Sequence, residues 1–503
     1  MLNAIIFVPL VAAFLLLFVP RNFRFLARAI ALAATLVTFL LALLLLWRFE
    51  TGSTDYQFVS RIRSWGADSL GISYYVGADG INIGLVFMAA LVGFAAACVS
   101  WEIKHHEKEF YILLLVMTGG IIGAFASLNL FFFYFFHELA LVPTFIMIGL
   151  WGRGEQKNFA TFQITLYLSL GALIALVGLI GIYLQMPVGP NRFEIPEIIR
   201  YFAANPMAAS SQNWIFPLLM FGFGILVSLW PFHTWAPLGY ASAPTATAML
   251  HAGVLKKFGL YGLIRIALPI LPEGAKNWLY VLALLCLGNI LYCGWVAMRQ
   301  RDLNFLIGNS SVAHMGFAFL GIASVSIVGV TGAVMVMIAH GLLAALTFGL
   351  SGYLYQQTGT LQIDKLGGLL KQLPFIGTAM IIAMFAGCGL PGFANFVGEV
   401  MVLFGSWNMK LRWFVAAGAW GALVIGAIYM LRAVRDVWHG EATSQWAAAR
   451  DASAWRRTPF VLLLAALLVI GVWPRLLTDK IEPSVRAIVG TGMPGGISVA
   501  VTK

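Results

Sequence analysis

From residue 2 to residue 474 the chain is a succession of apolar runs, each close to the ~20 residues that a helix needs to cross a bilayer. The composition agrees: 61% of residues are hydrophobic, 10% are charged, and mean hydropathy is +0.89. A soluble domain carries about 25% charged residues, so these figures describe a protein whose solvent is lipid. The expected fold is all-α and polytopic, with about fourteen transmembrane helices.

The first run, Leu2 to Pro20, lacks a basic leader and a small-residue cleavage site, which marks a retained helix rather than a signal peptide. Further spans are read over 25–47, 80–101, 110–127, 129–151 and 159–185. A polar loop at 186–213 leads to a broken seventh helix and an eighth that holds Lys256, Lys257 and Arg265. The remaining spans fall at 277–298, 304–324, 326–355, 374–406, 412–433 and 458–474. The polar stretch 49–79 is long enough for a hairpin or an amphipathic piece outside the membrane, and the tail after Pro474 is expected to be peripheral. Lysine and arginine favour loops 21–28, 104–108, 153–157, 299–301, 365–371 and 432–457, which places that face in the cytoplasm and both termini outside.

Two interruptions organise the chain. Pro231, Pro237, Gly239 and Pro244 forbid one continuous helix across 221–265, because proline has no N–H and clashes with the preceding turn. Gly389, Leu390, Pro391 and Gly392 interrupt the twelfth span in the same way. Broken helices are tolerated at membrane depth only where protein or a wet cavity satisfies the freed backbone groups. Transporters use such breaks to build ion sites, often in inverted repeats. The two breaks lie five segments apart, an odd number, so two five-helix units of opposite orientation are expected. The chain then divides into 1–109, a first unit 110–270, a second unit 277–435, and 436–503.

Ionisable groups in these spans are costly. A charge at the bilayer centre costs about 2.5–3.5 kcal/mol on insertion scales. Glu138 sits mid-helix in FFFYFFHELALVPTF, and Glu399 follows the second break in GLPGFANFVGEVMVLF, with Gly398 adding no bulk beside it. A carboxyl so placed either exchanges protons or is a neutral, packed structural acid. His137 is adjacent to Glu138 but about 100° around the helix, which favours a structural role. Lys256 and Lys257 are consecutive, so they face different surroundings; each is a proton carrier or a side chain snorkelling to an interface. His233 and His251 lie in the broken stretch, and His314 and His340 inside helices ten and eleven. Histidine titrates near physiological pH, so the last two suit a relay, with a helix-packing hydrogen bond as the plainer alternative.

Several chemistries are excluded. Cys98, Cys286, Cys293 and Cys388 form no C-x-x-C pair, so neither an iron–sulfur cluster nor a disulfide scaffold is expected. No P-loop lysine motif and no G-x-G-x-x-G after a strand occur, which argues against nucleotide binding. His105, His106 and Glu109 approach metal-ligand spacing but lie in the charged loop EIKHHEKE, so a solvated turn is expected and no metal site is assigned. The net charge of +11 is read as loop bias, not as a nucleic-acid surface. No cofactor is expected.

HELALVPTFIMIGLWG, PFHTWAPLGYASAPT, AGVLKKFGLYGLIR, QRDLNFLIGNSSVAHMGF, IAHGL and GLPGFANFVGE together resemble the antiporter-like subunit M family of NADH-quinone oxidoreductase (respiratory complex I), over about residues 75–435. Cation/proton antiporter subunits of the Mrp type are related, but the GLPGFANFVGE ending favours subunit M. The resemblance implies a hydrophilic axis through the middle of the membrane. It makes Glu138 the helix-five glutamate, Lys257 the helix-eight lysine, His314 and His340 axis residues, and Glu399 the helix-twelve glutamate.

One departure stands out. The family carries a lysine on helix seven, five positions before the proline of PFHTW; here that position is Leu226, and the proline usual two residues later is Ser228. The family's PDAH is Pro237-Leu238-Gly239-Tyr240. Leucine can neither place a charge near Glu138 nor change charge during turnover. Lys256, an extra cation one residue before the family lysine, is the candidate replacement.

The resemblance therefore implies a non-redox subunit of a proton-translocating NADH:quinone oxidoreductase, and the alanine-rich, cysteine-poor composition points to a bacterial plasma membrane. Its partners would be antiporter-like neighbours, small membrane-arm subunits and the lipid bilayer, with quinone and NADH bound only by other subunits. The rival readings are a sodium- or potassium-coupled Mrp-type antiporter subunit and a structural subunit whose first half-channel is impaired at Leu226.

Overall fold

The computed structural model describes residues 1–62, 72–407, 412–441 and 444–491. The chain begins with α1 (Leu2–Phe18) and α2 (Arg24–Arg48), then an antiparallel hairpin of β1 (Gln57–Ile62) and β2 (Tyr74–Ala78). α3 (Gly80–Val99), α4 (Glu107–Ala126), α5 (Leu130–Trp151) and α6 (Lys157–Gln185) follow. A short α7 (Ile195–Ala204) precedes α8 (Ala209–Val227), α9 (Trp235–Ser242) and α10, which runs over 245–270. Then come α11 (Pro272–Arg299), α12 (Leu303–Ala323) and α13 (Ile327–Thr358). The last five are α14 (Pro374–Gly387), α15 (Ala394–Trp407), α16 (Arg412–Trp438), α17 (Ala454–Val472) and α18 (Arg475–Thr491). Among the described residues eleven helices are long and apolar enough to cross a membrane, and α1 and α14 are shorter apolar helices.

Burial orders these helices into a centre and a rim. α3, α12 and α13 are buried almost all round, and every residue of α10 is buried. α2, α6, α11, α16 and α17 keep a wide apolar face exposed, as lipid-facing helices do. Close contact at the centre depends on glycine. A Cβ on Gly253 of α10 would stand 2.9 Å from the Gly341 carbonyl oxygen, and one on Gly341 2.7 Å from that of Gly253. The two backbones touch there, which is how small residues pack membrane helices. Gly332 and Gly398 do the same for α13 and α15, bringing Glu399 against the centre.

Three polar regions hold structure beyond the expected loops. Of the two options for 49–79 the hairpin is realised; Tyr56 before it lies near the buried Arg265–Asp79 pair (2.6 Å), and burial pushes the Tyr56 hydroxyl up to about 12. The loop 186–213 contains α7, started by Pro196 in the first turn and held by Ile195, Ile198 and Phe202. The tail after Pro474 forms α18, whose Leu477, Ile481 and Val485 are buried against α3 and α13. Short amphipathic helices fall below a hydropathy threshold because half their surface is polar. Part of the stretch 49–79 and the last twelve residues lie outside the described residues.

Candidate functional site

Both spans are interrupted, the first in the gap that holds Pro231 and again at Pro244, the second between Gly387 and Ala394. α8 ends at Ser228, which adopts a left-handed conformation (φ +72°), and the chain resumes as α9 at Trp235. The freed backbone groups find partners. The Asn289 amide of α11 donates to the carbonyls of Ser228 (2.9 Å) and Val312 (3.2 Å) and accepts from the Trp230 N–H (2.8 Å). The Trp235 indole donates to the Ile225 carbonyl at 3.1 Å. Leu226 is buried in apolar surroundings one turn away. These partners are a neutral amide and a neutral indole, and the ionisable His233 lies in the gap beside them.

The second break is chemically different. α14 ends at Gly387, and Gly389 and Gly392 take φ values of +69° and +97°, which glycine adopts without a Cβ penalty. The Gly387 carbonyl accepts a hydrogen bond from Nε2 of His314 at 3.1 Å, and Nδ1 of His314 lies 2.8 Å from the Ser310 carbonyl oxygen. A carbonyl only accepts, so both contacts are hydrogen bonds together only when His314 is imidazolium. The Glu399 carboxylate stands 3.7 Å from Nε2, in position to balance that charge. Glu399 also packs over Gly389, where a Cβ would come within 2.9 Å of Oε2.

From this pair the polar line continues inward. The rings of His314 and His340 are 5.5 Å apart, and Nδ1 of His340 is 2.9 Å from Nζ of Lys257, which also donates to the Ala252 carbonyl at 2.5 Å. All four side chains are buried. The Gly253–Gly341 contact puts Lys257 and His340 face to face, since each follows or precedes its glycine by at most four residues. Lys256, about 100° around α10, turns to α12 instead. Its Nζ lies 3.1 Å from the Ser311 hydroxyl and 5.5 Å from the Tyr240 ring. The hydrogen bonding of α10 widens to the π pattern at His251–Leu255 and again at Leu263–Ala267, on either side of the lysines. Such bulges occur frequently at functional sites.

Glu138 stands apart from this line. Its side chain is 34% exposed on the outer face of α5, and its polar neighbours are Nδ1 of His137 at 3.5 Å and the Tyr134 hydroxyl. His137 is buried and stacks on Phe258, the residue after Lys257, with ring centroids 4.0 Å apart. Among the described residues no hydrogen bond joins Glu138 or His137 to either lysine. The sequence favoured a structural His137; the geometry sets it between Glu138 and α10. His251 is held between Trp235 and Tyr240. His233 is buried against Tyr292, and its Nδ1 has no protein partner.

Pro231 lies in the gap before α9 and Pro244 separates α9 from α10, whereas Pro237 and Gly239, expected as breaks, lie inside α9, where the first turn tolerates a proline; Pro391 lies between α14 and α15. Glu109, in the first turn of α4, pairs with Arg21, and the ring of His105 in the preceding loop faces Trp151, so the spacing is used by other contacts. Among the described residues no three His, Cys, Asp or Glu side chains gather as metal ligands do. Sequence reading passed over Asn289, Ser310, Ser311 and Tyr429, whose hydroxyl donates to Ser310 at 3.1 Å. A lone amide in the apolar run LLCLGNILYC was the available signal for Asn289. The other three carry none, because serine and tyrosine are common in membrane helices.

Comparison with known proteins places this geometry. The family described as NADH:quinone oxidoreductase/Mrp antiporter, TM, matches residues 127–425. NADH-quinone oxidoreductase subunit M of Rhodobacter capsulatus is 34% identical over 499 residues, 97% of this chain and 96% of that one. The subunit M of Rickettsia prowazekii is 32% identical over 487 residues, covering 96% and 97%. A chain of respiratory complex I from Thermus thermophilus with bound NADH superposes with a TM-score of 0.88 at 28% identity, covering 98% of this chain and all of that one. A chain of the Mrp complex from a Dietzia species shares the fold (TM-score 0.84, 18% identity, 97% of each chain). On matches that span nearly its whole length, the chain belongs to the NADH:quinone oxidoreductase/Mrp antiporter membrane family, among the relatives named NADH-quinone oxidoreductase subunit M.

Proposed function

We propose that the chain is a proton-translocating membrane-arm subunit of a complex I-type NADH:quinone oxidoreductase in a bacterial plasma membrane. Protons move along Lys257, His340, His314 and Glu399, with Glu138 at the far end of the first unit. The observation that carries this reading is the buried line from Lys257 to Glu399, in which Lys257 and His340 lie 2.9 Å apart, the His340 and His314 rings 5.5 Å, and His314 and Glu399 3.7 Å. Such a line in hydrocarbon is costly and is retained where charge must move. His314 is its switch. As imidazolium it holds the carbonyls of Ser310 and Gly387 and faces Glu399; when it gives up a proton, one carbonyl loses its donor. Proton transfer is thereby tied to the backbone of the second break.

Lys256 supplies the cation that Leu226 cannot. The two half-units, 110–270 and 277–435, act as inverted repeats around the shared centre, each with one interrupted helix. The subunit carries no redox centre; NADH and quinone are handled by partner subunits, and their reaction drives the charge shifts here. Neighbouring membrane-arm subunits cover the face that exposes Glu138, since a carboxylate one-third exposed at membrane depth is costly if left open to lipid.

The test is Glu399→Gln in the assembled complex, reconstituted in vesicles, with NADH oxidation and proton uptake measured together. Pumping falls at least tenfold while the complex still assembles. Unchanged pumping would show a scaffold instead, the reading that the buried Leu226 and the neutral first break favour. Transport that requires sodium in the same vesicles would favour the antiporter relatives.

A further inference from the structure

The turn between α1 and α2 gathers positive charge at the edge of an exposed aromatic surface. Arg21 and Arg24 have side chains 77% and 67% exposed, and Arg28 follows one turn later with 26%. Lys108 of α4 joins them, donating from Nζ to the Leu17 carbonyl at 2.8 Å. Two carboxylates answer these four cations. Glu109 meets Arg21 at 2.9 Å, and Glu107, itself nearly buried, meets Arg28 at 3.0 Å and Arg24 at 3.8 Å. Positive charge is left over, and it is carried by the two most exposed arginines. Around the same turn Phe14, Leu17, Phe18, Phe23 and Phe25 are all more than half exposed. Trp101 is partly exposed beneath the Arg28 guanidinium, 4.9 Å from it.

A surface of this kind has two chemistries stacked along the membrane normal. Aromatic and leucine side chains on α1 and the start of α2 suit acyl chains, and aromatic residues favour the headgroup boundary. Guanidinium groups directly above them suit a phosphate, which arginine binds by paired N–H donors. A soluble anion would have no use for the apolar part, and a zwitterionic lipid would leave the surplus charge unbalanced. We infer that the α1–α2 turn is a binding site for one anionic phospholipid, its phosphate held by Arg21 and Arg24 and its chains lying along Phe14, Phe18 and Phe25. Arg28, less exposed, and Lys108, tied to the Leu17 carbonyl, shape the site from behind, while Arg21 and Arg24 keep most of their surface open beyond their contacts with Glu109 and Glu107.

The site has no link to the buried proton line, so its test is independent of that reading. The assembled complex is extracted in detergent, titrated with phosphatidylglycerol or phosphatidylcholine, and bound lipid is counted by native mass spectrometry. Wild type retains one more phosphatidylglycerol than the Arg21→Gln/Arg24→Gln variant, and the variant's affinity for that lipid falls roughly thirtyfold, about fivefold per arginine. Arg21→Lys/Arg24→Lys recovers part of it. Both positions are exposed, so assembly is unaffected, and co-purification of partner subunits checks this. Equal retention by wild type and the glutamine variant overturns the proposal. So does equal retention of phosphatidylcholine, or displacement of the lipid by inorganic phosphate with no dependence on acyl chains.

Discussion

The two helix breaks solve one problem with different chemistry. At each, a helix stops inside the membrane and leaves carbonyls that need donors. At the first, Asn289 and Trp235 supply them, and both are neutral at every physiological pH. At the second, the donor is His314, backed by Glu399. An amide can hold a break but cannot report a proton; an imidazole does both. The first break is thus a fixed joint, and the second a joint whose hydrogen bonding depends on protonation. The lysines of α10 lie between them, Lys257 turned to the second break through His340, and Lys256 towards Ser311.

Substitutions can break or sharpen this contrast. The largest effects are expected at α10. Lys257→Met removes the head of the buried line, and Lys256→Met removes the replacement for Leu226; each should abolish pumping in vesicles, by more than tenfold, with the complex intact. If Lys256→Met pumps at the wild-type rate, Leu226 has no substitute on α10 and the contrast between the halves deepens. Next comes His314→Gln. Glutamine keeps one donor for the Gly387 carbonyl but cannot ionise, so pumping should fall, less steeply than at the lysines, while the thermal midpoint hardly moves. A large loss of stability with little loss of pumping would make His314 a joint like Asn289.

The reverse pattern is expected at the first break. Asn289→Ala strands the Trp230 N–H and the Ser228 carbonyl, at about 1–3 kcal/mol for a buried unsatisfied group. The melting temperature of the assembled complex should drop, while pumping per folded complex is unchanged. The smallest effect is Gly389→Ala. It places a Cβ at positive φ, at about 1 kcal/mol, and moves Glu399 by a few tenths of an ångström. A modest stability loss and a pumping defect under threefold are expected; unaltered stability would show that the second break relaxes freely.

Much of this architecture was readable without coordinates, and the reason is the solvent. Lipid demands ~20 apolar residues per crossing, so α3 through α6 and α11 through α13 stand out as hydropathy alone. Proline and glycine mark both breaks because their backbone limits are local. Glu138, Lys256, Lys257, His314, His340 and Glu399 could be singled out because an ionisable residue in an apolar run is expensive wherever the helix ends up. The pieces that escaped, α7 and α18, are amphipathic and owe their helicity to the surfaces they cover.

Which groups meet was decided in three dimensions. Nothing in the order of residues says that His340 faces Lys257, that His314 caps the second break, or that Asn289 closes the first. The Lys257–His340 pairing follows from backbone contact at Gly253–Gly341, and the Gly332–Gly398 contact seats Glu399 beside the same centre. The same holds for Glu138, whose cost was legible at once but whose outward position on α5 was not. Sequence settles what each segment must bury, since that is a sum over its own side chains. Only the packed bundle settles what each side chain touches, because a contact takes two helices and a rotation about each axis.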